Sequence, residues 1–408
     1  MNKEEFLVLS NGVRVVLTKA SSHVSHIGLL INSGSRDDLQ NSAGGMHLIE
    51  HLLFKGTKNR SYIQLMDYIE SVGGDMNAYT SKEETCIYIS IQNEFLDRAI
   101  DVLSDIFYNS QFNAVEFEKE KQVVIDEINS YLDSPSELIF DEFEEKFFEG
   151  HNLAGNILGT VDSVTCMTLD SLDTIYKSNY VSTKMIVSYV GSLNLDFVSK
   201  KIDLFFNRKE NVSVECNERL SFVENNIFSL HKKRDTYQAH CMLGSLAPSM
   251  YSDLKTPMIL LNNFLGGSSF NALLNLKLRE ERGLTYNIES NYTAYSDTGI
   301  FTVYFGTDIK KIKKCKEVIF SIFDDLVQNS ISHIMLESYK KQLIGQVALS
   351  FDNFVSIMIS NAKSYMCFDK VDTYDEIISK INAVTVSDIK NISTLVLDSS
   401  KISELIYS

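Results

Sequence analysis

Three residues early in the chain have the types and spacing of a metal site. His47, Glu50 and His51 stand in the order H-x-x-E-H within Gly44–Thr57, GGMHLIEHLLFKGT. Met46, Leu48, Ile49, Leu52, Leu53 and Phe54 give this stretch the apolar pattern of a helix. Residues three and four apart lie on one helix face, so Glu50 and His51 project beside His47. Two imidazoles one turn apart can hold one zinc, and a carboxylate between them can reach a water on that metal. The order is the inverse of H-E-x-x-H and belongs to the zinc peptidase signatures. The competing reading is an amphipathic helix with two ordinary histidines. In a chain with 8 His, chance rarely sets two of them and a glutamate in this order.

A zinc site needs a third protein ligand and one open position. The stretch EKEKQVVIDEINSYLDSP, on a helix read over Ala114–Tyr131, offers Glu120 and Glu127. Their spacing is two helical turns, so they share a face. A lone glutamate on a charged helix is ordinarily solvated, and spacing alone does not choose between these two.

The elements that must position these groups alternate in kind. Asn11-Gly12 joins strands at Glu5–Leu9 and Val13–Thr18, and Val24–Ile31 is a third strand. After the motif helix come a helix at Tyr62–Val72, strands at Asp75–Thr80 and Glu83–Ile91, and helices at Glu94–Tyr108, Ala114–Tyr131 and Ser136–Phe148. A helix at Leu169–Asn179, a strand at Lys184–Val190 and a helix at Leu195–Phe206 complete the first half. Residues Asn207–Glu224 are polar and irregular and read as a connection. The second half repeats the order. It has strands near Ile227–His231 and Tyr237–Leu243, helices at Ser252–Leu265 and Phe270–Arg282, strands at Leu284–Ala294 and Gly299–Gly306, four helices, and a strand near Ile402–Tyr407.

The repeat also shows in single residues. Thr168, Leu172 and Lys184 stand the same distance before Thr385, Ile389 and Lys401, and Glu120 stands that distance before Glu337. A shared offset marks a duplication. At that offset Glu127 meets Ile344; the motif helix aligns, with a gap, to Met258–Gly267, which has no histidine. The expected fold is α+β: two similar domains, each a mostly antiparallel sheet packed with helices. The expected boundaries are 1–210 for the zinc-binding domain and 222–408 for the homologous, metal-free one.

Composition narrows the partners. Hydrophobic residues make up 44% of the 408 and charged residues 23%, the profile of a globular protein. A net charge of −16 disfavours a nucleic-acid surface and favours a neutral or basic partner. No apolar run reaches membrane-spanning length. Six scattered cysteines without C-x-x-C spacing indicate a reducing compartment, and a cytoplasmic location is expected.

H-x-x-E-H followed by L-x-F-K-G-T, then two glutamates before Ile128 and a downstream D-S-P, resembles the pitrilysin/insulinase family of zinc peptidases. The likeness covers essentially the whole chain. It is nearest to the half-length branch that includes the β-subunit of the mitochondrial processing peptidase and its bacterial relatives. The resemblance implies His47, His51 and Glu127 as ligands of one Zn2+ per chain, Glu50 as general base and Glu120 as a supporting residue. Asn77-Ala78-Tyr79 matches the family's edge strand, whose backbone pairs with an extended substrate. L-R-E-E-R-G-L-T-Y places Arg279 and Tyr286 where similar enzymes grip substrate near the scissile bond. A surface arginine and a core tyrosine are the competing reading. One departure is Asn152–Asn156, NLAGN, where relatives often read His-Pro-Leu-Gly-Arg.

The implied activity is zinc-dependent endopeptidase action on extended peptides in a closed chamber. Longer relatives close two such halves as a clamshell, so a homodimer is expected. Six acidic residues in Ser136–Gly150 suggest a preference for basic peptides if that face lines the chamber. The alternatives are a noncatalytic scaffold subunit of the same fold and a chaperone that holds peptides without cutting them.

Overall fold

Asn11 and Gly12 reverse the chain in a turn closed by Leu9 N–H to Val13 O at 2.8 Å, with Gly12 at φ 91°. This turn joins β1 (Glu4–Val8) to β2 (Arg14–Lys19), and β3 (Val24–Ile31), α1 (Gly45–Leu53) and α2 (Tyr62–Glu70) follow. Next come β4 (Asp75–Thr80), β5 (Thr85–Gln92), α3 (Leu96–Asn109), α4 (Ala114–Leu132) and α5 (Pro135–Phe147). The first half of the sequence ends with α6 (Val161–Cys166), α7 (Leu169–Asn179), β6 (Met185–Gly191) and α8 (Leu195–Phe206). The second half runs β7 (Ser229–Lys232), β8 (Ala239–Ala247), α9 (Lys255–Gly266), β9 (Thr285–Ala294) and β10 (Gly299–Thr307). It ends with α10 (Ile312–Gln328), α11 (His333–Ser350), α12 (Phe354–Phe368), α13 (Tyr374–Ala383), α14 (Val386–Val396) and β11 (Ser403–Tyr407). This computed structural model describes residues 4–39, 42–208, 219–223, 226–234 and 236–408. Most of the polar connection read over 207–224 lies outside the described residues.

The chain forms two units, each built on one sheet. In unit 1 the strand order is β1-β2-β6-β3-β5-β4, with β2 and β6 parallel and the other pairs antiparallel. In unit 2 it is β7-β11-β8-β10-β9, with only β7 and β11 parallel. The two orders correspond strand for strand from β2 and β7 onward, as a duplication requires. Thr168 and Thr385 cap equivalent helices, and Lys184 and Lys401 end equivalent 3-10 turns.

Side chains of a strand alternate between faces, so each sheet has two faces to cover. In unit 1, Ile27, Leu29, Ile87 and Ile89 pack with Leu48, Leu52, Ile100 and Leu103 of α1 and α3. On the opposite face, Val16, Leu30, Cys86 and Ile186 meet Ala362 and Tyr365 of α12. Polar bonds fix α12 there. Asn361 donates to Thr18 Oγ1 at 2.9 Å, and Ser188 donates to Met358 O at 2.7 Å. In unit 2 the helix in the matching place is α5, where Phe143 and Phe147 pack with Met242 and Tyr304. A Cβ on Gly244 would stand 2.7 Å from the Phe143 ring, so this close approach needs glycine.

The units therefore exchange one helix each. Unit 1 comprises Met1–Asn129, Gly155–Arg219 and Leu349–Asp372, and unit 2 comprises Ser130–Ala154, Leu220–Ala348 and Thr373–Ser408. This differs from one cut between 210 and 222. An apolar stripe shows that a helix is buried but not which sheet buries it. Three further differences are local. Five helices rather than four follow β10, and α6 was not read from the sequence. The helix expected over Phe270–Arg282 is a wide π-type turn at Asn275–Glu280. Among the described residues, no single helix is long and apolar enough to cross a membrane.

Candidate metal centre

The site begins with the local structure that starts α1. Gly44 adopts φ 88°, and a Cβ there would lie 2.5 Å from Leu158 O, so only glycine fits. Asp38 supplies the cap that Gly44 lacks. Its Oδ2 accepts from Gly44 N–H at 2.9 Å and its Oδ1 from Met46 N–H at 2.8 Å. Burial pushes the Asp38 carboxyl up to about 7, while the N–H groups of Met46 and Gly44 pull the other way. Asp38→Ala leaves those donors unpaired and should cost about 1–2 kcal/mol of stability, seen as a lower Tm. Asp38→Asn, which keeps one acceptor, should lose less. An unchanged Tm in Asp38→Ala would contradict this role.

From that start α1 turns Met46, Leu48, Ile49, Leu52 and Leu53 into the core and leaves Glu50 and His51 half-buried. His47 is 7% exposed. The imidazole rings of His47 and His51 stand edge to face, with centroids 4.7 Å apart. Burial, with His51 adding to it, pushes His47 down to about 4, so its ring is neutral and can offer a lone pair. α4 brings Glu120 and Glu127 to the same place, as their two-turn spacing requires. Glu127 Oε2 lies 3.8 Å from His47 Nε2 and 3.7 Å from His51 Nε2. Such distances are long for hydrogen bonds. They are close to the separation of about 3.3 Å expected between ligands of a tetrahedral zinc bound at about 2.0–2.1 Å.

Glu120 orients one of these rings. His51 Nδ1 stands 3.2 Å from Glu120 Oε2, and Lys55 Nζ stands 2.8 Å from Glu120 Oε1. A carboxylate only accepts, so Nδ1 carries the hydrogen and Nε2 keeps its lone pair toward Glu127. His47 Nδ1 is buried and has no hydrogen-bond partner among the described residues. Ligand atoms of His47, His51 and Glu127 all lie within 4.8 Å of one another, and these residues fit a zinc ion. Glu50 sits beside them. Burial raises its carboxyl, Thr80 and His51 oppose the rise, and Glu127 adds to it. A carboxylate so placed suits proton transfer.

The other expected site residues fall in two places. Asn77, Ala78 and Tyr79 lie on β4, the terminal strand of the unit 1 sheet, so one backbone edge of β4 is unpaired within that sheet. Asn77 Oδ1 accepts from Ala78 N–H at 2.8 Å. Tyr79 is anchored through its hydroxyl, which donates to Glu84 at 3.0 Å, and Lys363 pairs with Glu84 in turn. Arg279 and Tyr286 belong to unit 2. The Arg279 guanidinium stands 5.6 Å from the ring centroids of both Tyr286 and Phe270. Tyr286 is 86% exposed, so it is not a core residue. Arg279 also lines a cavity of about 440 Å³ with Asn263, Asn287, Glu289 and Asn291.

Sequence reading missed Asp38, Lys55 and Thr80 as partners of the motif. Lys55 and Thr80 were visible as letters of F-K-G-T and N-A-Y-T, but neither spacing shows which carboxylate each would meet. One of the six acidic residues in Ser136–Gly150 has a structural role. Glu142 binds Lys232, Arg234 and the Tyr407 hydroxyl within unit 2 and so anchors α5.

Comparison with known proteins bears on the family and the fold. Residues 14–161 match the family described as Insulinase (Peptidase family M16), and residues 167–343 match the Peptidase M16 inactive domain. A Bacillus subtilis protein named uncharacterized zinc protease YmxG is 33% identical, over 94% of this chain and 93% of its own. The mitochondrial-processing peptidase subunit beta of Dictyostelium discoideum is 25% identical, over 96% of this chain and 86% of its own. The crystal structure of a protease from Helicobacter pylori superposes with a TM-score of 0.89 at 19% identity and covers 100% of both chains. A structure described as a peptidase M16 inactive domain, from Pseudomonas fluorescens, gives 0.91 at 17% identity, covering 99% of this chain and 97% of its own. These two structures have the same fold as this chain.

Proposed function

Since the chain belongs to the insulinase family of peptidases, family M16, we propose that it is a zinc endopeptidase acting on extended peptides. The observation that carries the reading is the convergence of His47, His51 and Glu127 to within 4.8 Å, with Glu50 beside them. One Zn2+ per chain would be held by those three residues. It would supply Lewis-acid polarisation of water and of the scissile carbonyl. Glu50 takes the proton of the attacking water and delivers it to the leaving amine. His51 is held in the right tautomer by Glu120. The open edge of β4 at Asn77–Tyr79 binds the substrate through main-chain bonds, which tolerates many sequences. Metal chemistry stays in unit 1, because Ile344 of α11 replaces Glu127 and α9 has no histidine.

A digest of mixed peptides by the purified protein, read by mass spectrometry, tests the reading. Internal cleavages that stop with a chelator and return with zinc are expected. Intact peptides in the presence of bound zinc would instead favour the scaffold or holding functions. A preference for basic segments rests on the net charge of −16 and the acidic stretch Ser136–Gly150, and a cytoplasmic location on six scattered cysteines without C-x-x-C spacing.

The partner proposed besides the peptide is a second copy of the chain, closing a chamber in which Arg279 and Tyr286 serve the zinc site of the other copy. Glu50→Gln alone and Arg279→Ala/Tyr286→Phe alone should each be inactive. Mixing them gives half mixed dimers, each with one whole site, and activity should return to about a quarter of wild type. No recovery after proven subunit exchange would mean that the pair acts within its own chain or not at all.

A further inference from the structure

We propose that Thr80 is a positioning residue that ties the peptide-docking strand β4 to the general base Glu50. The proposal rests on the peptidase reading above and adds to it the group that orients the base. Thr80 Oγ1 donates to Glu50 Oε2 at 2.5 Å, within the range of charge-assisted O–H···O⁻ bonds. Glu50 is half-buried on α1, and a glutamate side chain left untethered samples several rotamers. The bond to Thr80 holds the Glu50 carboxylate in one orientation.

The donor is itself rigidly placed. Thr80 is the last residue of β4 and stands opposite Thr85 in the ladder with β5. The turn that follows is fastened from several sides. Ser81 N–H donates to Glu84 O at 2.8 Å, and Ser81 O and Lys82 O accept from the N–H groups of Ser35 and Arg36. Lys82 Nζ reaches Gly155 O at 2.6 Å. Arg36 binds Glu83 at 2.6 Å, and Arg219 binds Glu83 O at 2.8 Å. Threonine is β-branched, so a fixed backbone leaves its hydroxyl few positions, and the bond to Glu50 selects one of them. A peptide that pairs with Asn77–Tyr79 is thereby placed on the same strand that holds the base. Substrate and base share one rigid reference, which is what a near-attack geometry needs.

Thr80→Val keeps the shape and removes the hydroxyl, and Thr80→Ser keeps the hydroxyl. With zinc-loaded protein and a quenched fluorescent peptide, Thr80→Val should lower kcat roughly a hundredfold, the cost of a misplaced reacting group. KM should stay within about twofold, because the β4 edge is intact. Zinc content should not change, and Thr80→Ser should recover most of the lost kcat. Wild-type kcat in Thr80→Val, or a rise in KM alone, would overturn the proposal. A second readout needs no activity. In a thermal-unfolding cycle of Thr80→Val, Glu50→Ala and the double variant, the bond predicts non-additive Tm shifts. Additive shifts would overturn the proposal even if the wild type cleaves nothing. Non-additive shifts in a protein that cleaves nothing would leave the bond standing and remove the peptidase reading.

Discussion

Glu50→Gln should keep its zinc and lose at least roughly a hundredfold in peptide hydrolysis, the lower end for removal of a general base. Glutamine has nearly the same shape, so α1 packs as before. Its amide oxygen can still accept from Thr80. What it lacks is the ability to take a proton at neutral pH. The two other carboxylates of the site have other duties: Glu127 faces both Nε2 atoms, and Glu120 is engaged by Lys55 and His51. Retained hydrolysis in Glu50→Gln would mean that another residue activates the water.

The second large effect is on metal content. His47→Ala should take bound zinc from about one per chain to near zero, because two protein ligands remain where a catalytic site uses three. Glu127→Gln should weaken zinc by at least roughly a hundredfold, more than the loss of an orienting partner costs. The two variants differ in what else they disturb. His47 is buried, so its removal also opens space beneath α1, whereas Glu127 is more exposed. Loss of zinc in Glu127→Gln with an unchanged Tm of the metal-free protein would therefore assign the effect to ligation. Full zinc retention in Glu127→Gln would remove Glu127 from the ligand set.

Which residues share a face of α1 and which share a face of α4 was legible in the sequence, because that depends on helical spacing; that the two faces meet was not. His47, Glu50 and His51 lie on one face of α1, and Glu120 and Glu127 lie on one face of α4. The choice of Glu127 over Glu120 as ligand was not legible from spacing. It came from family resemblance, and the structure adds a reason. Lys55 already occupies Glu120, which leaves that carboxylate to orient His51. The duplicated fold was legible too, since helical and strand periodicities are local. The exchange of α5 and α12 was not, because both have apolar stripes that would suit either sheet. The wide turn at Asn275–Glu280 escaped for a similar reason, since the sequence LKLRE is an ordinary helical one. Asp38, Lys55 and Thr80 are polar residues whose partners lie on other elements, and local pattern does not reach that far.

The most direct measurement of the central claim is an anomalous difference map of the zinc-treated crystalline protein, recorded on both sides of the zinc absorption edge. One peak per chain is expected, in contact with His47 Nε2, His51 Nε2 and the Glu127 carboxylate and with Glu50 beside it. No peak there, or a peak held by other residues, would contradict the account.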